Sequence, residues 1–185
     1  MTPYPSPWLT ADVGTTGLVG SAEYFAGAHT VKGAGVVGGT ADGCRYVYQT
    51  LTADGSVIAR VKSLQNTGTS AGVGIMMRDT LASNSRMASL TLTGPGVWSW
   101  QRRTTAGGSV TTTTSSSGTA PNIWVKLARS GNTITASRST NGTAWTSIGS
   151  ATVTMASNCY IGLAVASGST STLNTSVMDS LTVVP

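Results

Sequence analysis

Short runs of alternating side chains, each closed by a glycine-bearing turn, recur along this 185-residue chain and exclude most folds at the outset. Cys44–Leu51 alternates and is rich in aromatic and β-branched residues, Asp54-Gly55 follows, and Ser56–Leu64 returns. Asp-Gly between two such runs is a strong hairpin signal, because the tight turn it favours needs positive φ at its central residues. The pattern continues through Ala71–Asp79, Arg86–Thr93, Val97–Thr104, Asn122–Arg129, Thr133–Ser139, Cys159–Ser167 and Ser176–Val184. Gly94-Pro95-Gly96, Gly107-Gly108, Gly131-Asn132 and Asn141-Gly142 stand between runs as turns. No window keeps a 3.6-residue apolar period; Thr80–Arg86 is long enough for one helical turn. Prolines stay in the head, in turns and at the last residue, sparing central strands where each would delete a ladder hydrogen bond. The low-complexity run Thr111–Thr119 reads as an exposed loop or edge strand. The expectation is an all-β, two-sheet antiparallel sandwich over residues 9–185, preceded by a stiff, Pro-rich arm over residues 1–8.

Composition narrows the chemistry. Charged residues make up 9 % of the chain, with six carboxylates, one histidine and two cysteines. Most catalysis needs such groups held close together, and Asp12, Glu23, Asp42, Asp54, Asp79 and Asp179 stand far apart. No Cys/His spacing fits zinc, and His29 is alone. The net charge of +5 reflects scarce acids. Its basic residues are dispersed, whereas a nucleic-acid binder clusters them and interleaves aromatics. No stretch approaches the ~20 apolar residues that span a membrane. The opening MTPYPSPWLTADVG lacks the basic and apolar regions of a signal peptide. That leaves open a processed secreted chain or one that crosses no membrane alone.

Trp8 with Asp12–Gly14, then Gly39–Val61, Ala71–Leu81, Trp100–Gly108, Trp124–Trp145, Tyr160–Ser167 and Met178–Val183 carry, in order, a family likeness. Over this span the chain resembles the jelly-roll domains of the concanavalin A-like lectin/glucanase superfamily, and within it the bacterial, non-catalytic, LamG-like modules. The resemblance implies a jelly roll, with ligands lying across the concave sheet. It also implies a structural calcium near the chain termini, with Asp12 and Asp179 as candidate ligands; calcium takes six to eight oxygens, and turn capping is the other reading. Glucanases of this superfamily carry a Glu-x-Asp-x-Glu strand. This chain has one glutamate and no such triplet. Glycosidases need two carboxyls about 5–9.5 Å apart, so no enzymatic activity is expected.

Strand alternation nominates the binding residues. Arg45 and Gln49 share one face of their strand, Arg78 shares a face with Gly72, Gly74 and Met76, and Gln101 and Arg103 lie opposite Trp98 and Trp100. Arg45, Gln49, Arg78, Gln101 and Arg103 are therefore candidates for a polar floor that hydrogen-bonds sugar hydroxyls or carboxylates. The alternative is that they brace one another in solvent. Trp98, additional to the family pattern, is either a stacking platform or core filling. Cys44 and Cys159 are either a disulfide or two buried thiols.

The expected function is a non-catalytic carbohydrate-binding or adhesion module that meets a glycan or surface polysaccharide, on an extracellular or cell-surface structure. The alternative is a structural assembly protein, such as a virion decoration or fibre protein. It would form homo-oligomers or dock a capsid or fibre partner through the N-terminal arm.

Overall fold

The computed structural model describes residues 4–115, 120–121 and 123–185. The first three residues of the arm, the end of the Thr111–Thr119 run and Asn122 lie outside them. Fourteen strands follow one another: β1 (Leu9–Val13), β2 (Ser21–Phe25), β3 (Ala28–Gly35), β4 (Cys44–Thr52), β5 (Gly55–Leu64), β6 (Gly72–Arg78) and β7 (Met87–Thr93), then β8 (Trp98–Arg103), β9 (Thr111–Ser115), β10 (Ile123–Ser130), β11 (Thr133–Ser139), β12 (Thr146–Thr152), β13 (Asn158–Ala166) and β14 (Ser169–Val184). The front sheet has the order β1-β4-β13-β6-β7-β8-β9, and the back sheet β12-β11-β10-β5-β14-β3-β2. All pairings are antiparallel. The fold is the two-sheet antiparallel β-sandwich that the sequence predicts, seven strands to a sheet and consistent with a jelly roll.

Both glycine-bearing hairpins form, although the β4–β5 turn is made by Ala53, at φ +62°, and Asp54, with Gly55 opening β5. Gly55 adopts φ +156° after Asp54, and a Cβ there would lie 2.7 Å from the Val184 carbonyl oxygen. Gly131 sits at φ +58° between β10 and β11. Strands β1, β2, β3 and β12 were not among the expected runs. β2 and β12 are edge strands with largely exposed side chains, so neither carries a sustained apolar alternation. Thr80–Arg86 makes a turn without a helix, with the Ser85 amide donating to the Ala82 carbonyl at 3.0 Å.

Period-2 alternation fills the core. Val73, Ile75 and Met77 of β6, Leu90 and Leu92 of β7, and Ile161, Leu163 and Val165 of β13 point toward the back sheet. There they meet Val57, Ala59 and Val61 of β5 and Val125 and Leu127 of β10, all buried. Each large aliphatic side chain removed from water contributes about 1.5–3 kcal/mol. Trp98 and Trp100 join this core, 2 % and 1 % exposed. Trp98 is thus core filling and not an exposed platform, because β8 turns its indole side inward.

At one margin of the sandwich the described part of the arm folds back on its own domain. Tyr4 and Trp8 pack against the core edge. The Tyr4 hydroxyl donates to His29 Nδ1, and the Trp8 and Tyr24 rings flank the imidazole. Burial lowers the His29 pKa from 6.5 to about 4, partly offset by the Asp179 carboxylate. Unfolded chains protonate this histidine near 6.5, and the folded one only near 4. Its neutral form therefore stabilises the fold above 6.5, and that contribution is lost as pH falls toward 4. The Asp179 carboxyl, held low by its Arg60 hydrogen bond, adds a loss of the same sign at lower pH. Thermal melts should show the midpoint falling from pH 7 to pH 4, with a shallower slope in His29→Gln; equal slopes would refute the assignment.

Candidate functional site

Register sorts the outward side chains of the front sheet into rows. Met87 lies between Arg78 and Arg103, and Ser89 between Met76 and Gln101. The next row runs Tyr46, Ala164, Gly74, Thr91, Ser99, Thr114, and the last holds Ala166, Gly72 and Thr93. Arg45 and Gln49 have the opposite parity, pairing with Val165 and Ile161 of the core face. The five residues expected to share a floor are therefore split between two faces. Alternation along one strand groups its own side chains, but it does not say which face of the next strand they join.

Arg78 and Arg103 are not an open floor either. Both are fully buried, and the carboxylate of Asp42, from the loop between β3 and β4, sits between them. Arg78 Nη1 donates to Asp42 Oδ2 at 2.7 Å. Arg103 Nη1 donates to the same oxygen at 2.7 Å, and its Nη2 to Oδ1 at 2.8 Å. Arg78 Nη1 also reaches Met76 Sδ, and the other guanidinium donors go to backbone carbonyls: those of Thr80 and Ala82 from Arg78, and those of Gly38, Gly39, Ser85 and Gly108 from Arg103. Three loops are thereby tied to one carboxylate. Backbone bonds lace the same loops together: Asp42 N to Ser83 O, Gly107 N to Asn84 O, and Val110 N to Gly39 O.

This lacing shapes the concave face. Val37 and Leu81, carried in by two of the loops, pack against the outward cluster that holds Tyr46, Tyr48 and Met76 and cover part of the sheet surface. Another part stays open as a groove of about 350 Å³. One side of it is small or aliphatic: Gly72, Ala164 and Ala166 form the floor, with Val36 and Val37 above. The other side is polar: Thr91, Ser99, Gln101 and Thr114, from three adjacent strands. Thr69, Ser70, Thr93, Pro95 and Val97 complete the rim, and no charged or aromatic side chain lines the groove among the described residues. Gln101 is the one expected binding residue that reaches this groove; its neighbours there escaped notice because small residues carry no compositional signal. A second hollow of about 360 Å³ lies beside Thr50, Asp79, Asn158 and Tyr160. Its carboxylate is engaged by Arg86 at 2.6 Å and by the Ala156 amide at 2.6 Å.

The other expected residues are accounted for locally. Asp12 pairs with Arg45 at 3.4 Å and accepts the Gly20 amide. Asp179 takes a bidentate contact from Arg60 at 2.7 and 2.5 Å. The two aspartates lie in different sheets, each balanced by an arginine, and no group of three His, Cys, Asp or Glu side chains occurs among the described residues. The two are not gathered into one acidic cluster; each is instead engaged by its own arginine. Cys44 and Cys159 are free, buried thiols. Cys159 pairs with Leu51, seven positions along β4 from Cys44, a separation of about 23 Å at the rise of a strand. Burial pushes the Cys44 thiol up to about 12 and raises that of Cys159, so neither is a nucleophile near neutral pH. The half-buried indoles of Trp124 and Trp145 face outward from the back sheet. Arg60 lies 5.5 Å from the first ring centroid and Lys126 lies 5.7 Å from the second.

Solved structures with the same fold include proteins of different kinds. A functionally unknown protein of Saccharomyces cerevisiae superposes with a TM-score of 0.67 at 14 % identity, over 89 % of this chain and 92 % of that one. The carbohydrate-binding module CBM66 of Bacillus subtilis gives 0.60 at 13 %, over 96 % and 95 %. A β-glucanase of Bacillus licheniformis gives 0.61 at 13 %, over 98 % and 94 %. No protein-family model matches the chain, and no curated protein sequence does. At these identities the likeness establishes the fold, and the site must argue the function.

The buried triad makes a sharp prediction. Asp42→Asn leaves two buried guanidiniums without a counter-charge, a change that costs about 3–5 kcal/mol. Urea unfolding should show that loss, whereas a change below about 1 kcal/mol would mean that the arginines are solvated in solution.

Proposed function

We propose that this chain is a non-catalytic module that binds a neutral glycan in the front-sheet groove, on an extracellular or cell-surface structure, in adhesion or polysaccharide attachment. The observation that carries this reading is the groove lining: hydroxyl and amide groups from adjacent strands, opposite small apolar side chains, with no charge. Hydroxyls and a carboxamide donate and accept, which suits a sugar edge. The fold is shared with a carbohydrate-binding module, which supports the same reading.

The carboxylates support a binding role over a hydrolytic one. Asp12, Asp42, Asp79 and Asp179 are each held by an arginine. Asp54 accepts the Gly131 amide, and Glu23 lies on the edge strand β2. None lines the groove. With Val37 and Leu81 packed over part of the sheet and a groove of about 350 Å³ beside them, the surface suits a short saccharide better than a long chain lying across the sheet. A few hydrogen bonds of about 1 kcal/mol each correspond to weak binding, with Kd in the millimolar range, about 1–10 mM.

A second reading, an assembly protein that packs against copies of itself or within a virion, is favoured by one feature. The edge strand β9 is Thr111–Ser115, largely exposed and uncharged. Edge strands usually carry charges, bulges or covers that block pairing. β1 and β2 carry Asp12 and Glu23, and β12 carries a bulge; β9 has neither a charge nor a bulge.

On a broad glycan array followed by titration calorimetry, the protein should bind at least one neutral oligosaccharide, and Gln101→Ala should weaken it about fivefold, the worth of one hydrogen bond. No binding, or binding indifferent to Gln101, would reject the groove. Light scattering separates the two readings: a monomer at all concentrations counts against assembly, and a dimer lost on Thr113→Lys supports it.

A further inference from the structure

The groove is two-sided, and its two sides ask for different chemistry. Thr91 and Ser99 form a cross-strand pair in the middle of the polar side. They are 6 % and 5 % exposed, yet the hydroxyl of neither takes a hydrogen-bond partner within the protein, unlike that of Thr93, which donates to the Val97 carbonyl. Neither oxygen is among the fully buried unpaired atoms, so both hydroxyls are reachable from the groove and open to a partner that enters it. Thr114 and Gln101 extend the same donor and acceptor strip.

Across from them the floor is Gly72, Ala164 and Ala166, with the methyls of Val36 and Val37 above. A sugar that stacks its flat C–H face needs an aromatic ring, and none lines this groove. The floor is instead a shallow step the size of a methyl group. It is made by three small residues, two of them alanines packed into the outward cluster of the sheet. A Cβ built on Gly72 would meet nothing nearer than Thr91 Oγ1 at 3.5 Å, so the glycine is not forced by crowding and its smallness leaves the groove open.

Resting on the glycan reading above, we propose that the groove selects a neutral sugar that carries a methyl group beside its hydroxyls, either a 6-deoxyhexose or an N-acetylated hexosamine. The methyl seats on Ala164, Ala166 and Val37, and adjacent hydroxyls take up Thr91 and Ser99. A hydroxymethyl group in the same place would bury an oxygen against alkyl groups with no partner, which is unfavourable. Uronic acids and other charged sugars are disfavoured, since no counter-charge lines the groove.

The test is an amide chemical-shift titration of the whole protein with matched pairs: L-fucose against L-galactose, L-rhamnose against L-mannose, and N-acetylglucosamine against glucose. The methyl-bearing member of at least one pair should bind about fourfold tighter or better, the factor set by one buried methylene, with shifts centred on Thr91, Ser99 and Ala164. Whichever pair responds distinguishes the deoxy from the acetamido source. Gly72→Val, whose Cβ comes no nearer than 3.9 Å to the closest backbone atom outside its chain neighbours, should abolish binding while leaving the thermal midpoint unchanged or higher. Thr91→Val should weaken every sugar that binds. If parent hexoses bind as tightly as their methyl partners and Gly72→Val still abolishes binding, the glycan reading stands and the methyl preference is overturned. If no sugar shifts the groove amides, both are overturned.

Discussion

Asp42 sits in a loop, yet its carboxylate is the point on which the concave face is built. Two arginines from the ends of β6 and β8 converge on it, all three side chains are fully buried, and the remaining donors of both guanidiniums reach carbonyls in the surrounding loops. A buried ion group of this kind is a weak source of net stability, because desolvating three charges offsets most of the attraction. Its consequence here is positional. Each guanidinium offers five donors in a fixed fork, so it can hold several carbonyls at once. Those carbonyls belong to the loops that place Val36, Val37 and Leu81 over the sheet. The groove has a wall on one side because the triad holds that wall in place.

Much of the fold was legible in the residues. Gly131-Asn132 sits between β10 and β11 as its turn chemistry predicts, Asp54-Gly55 marks the β4–β5 hairpin with Gly55 opening β5, and the alternation in Val97–Arg103 set both tryptophans on the face opposite Gln101 and Arg103. The N-terminal strands were not legible. Ser21–Phe25 is exposed at an edge, and Ala28–Gly35 is rich in glycine and alanine, so neither shows the contrast on which a period-2 reading depends. β12 was hidden for the same reason.

The site was less legible than the fold, and the reason is register. Grouping Arg45 and Gln49 with Arg78 and Arg103 assumed a parity between neighbouring strands that only their pairing sets. Once β13 is placed between β4 and β6, Arg45 faces the core margin, where Asp12 neutralises it. One signal was available and went unused. Arg78 stood on a strand face otherwise made of glycine and methionine, and a cation on such a face calls for an anion from elsewhere in the chain. The groove residues gave no signal, since Gly72, Ala164 and Ser99 matter for being small and for what they leave open. A surface of this kind recognises through shape and unmet hydrogen bonds, which accords with a chain whose carboxylates are mostly committed to arginines.

Hydrogen exchange of the loop amides tests most directly whether the triad holds this face together. The amides of Asp42, Gly43, Gly107 and Val110 all donate to carbonyls within the laced loops. If the loops are fixed as described, these amides exchange as slowly as those of β4, because they open only with the sheet beneath them. Exchange at the rate of an unstructured peptide, with β4 still protected, would show that the loops move independently and that Asp42 does not organise the concave face.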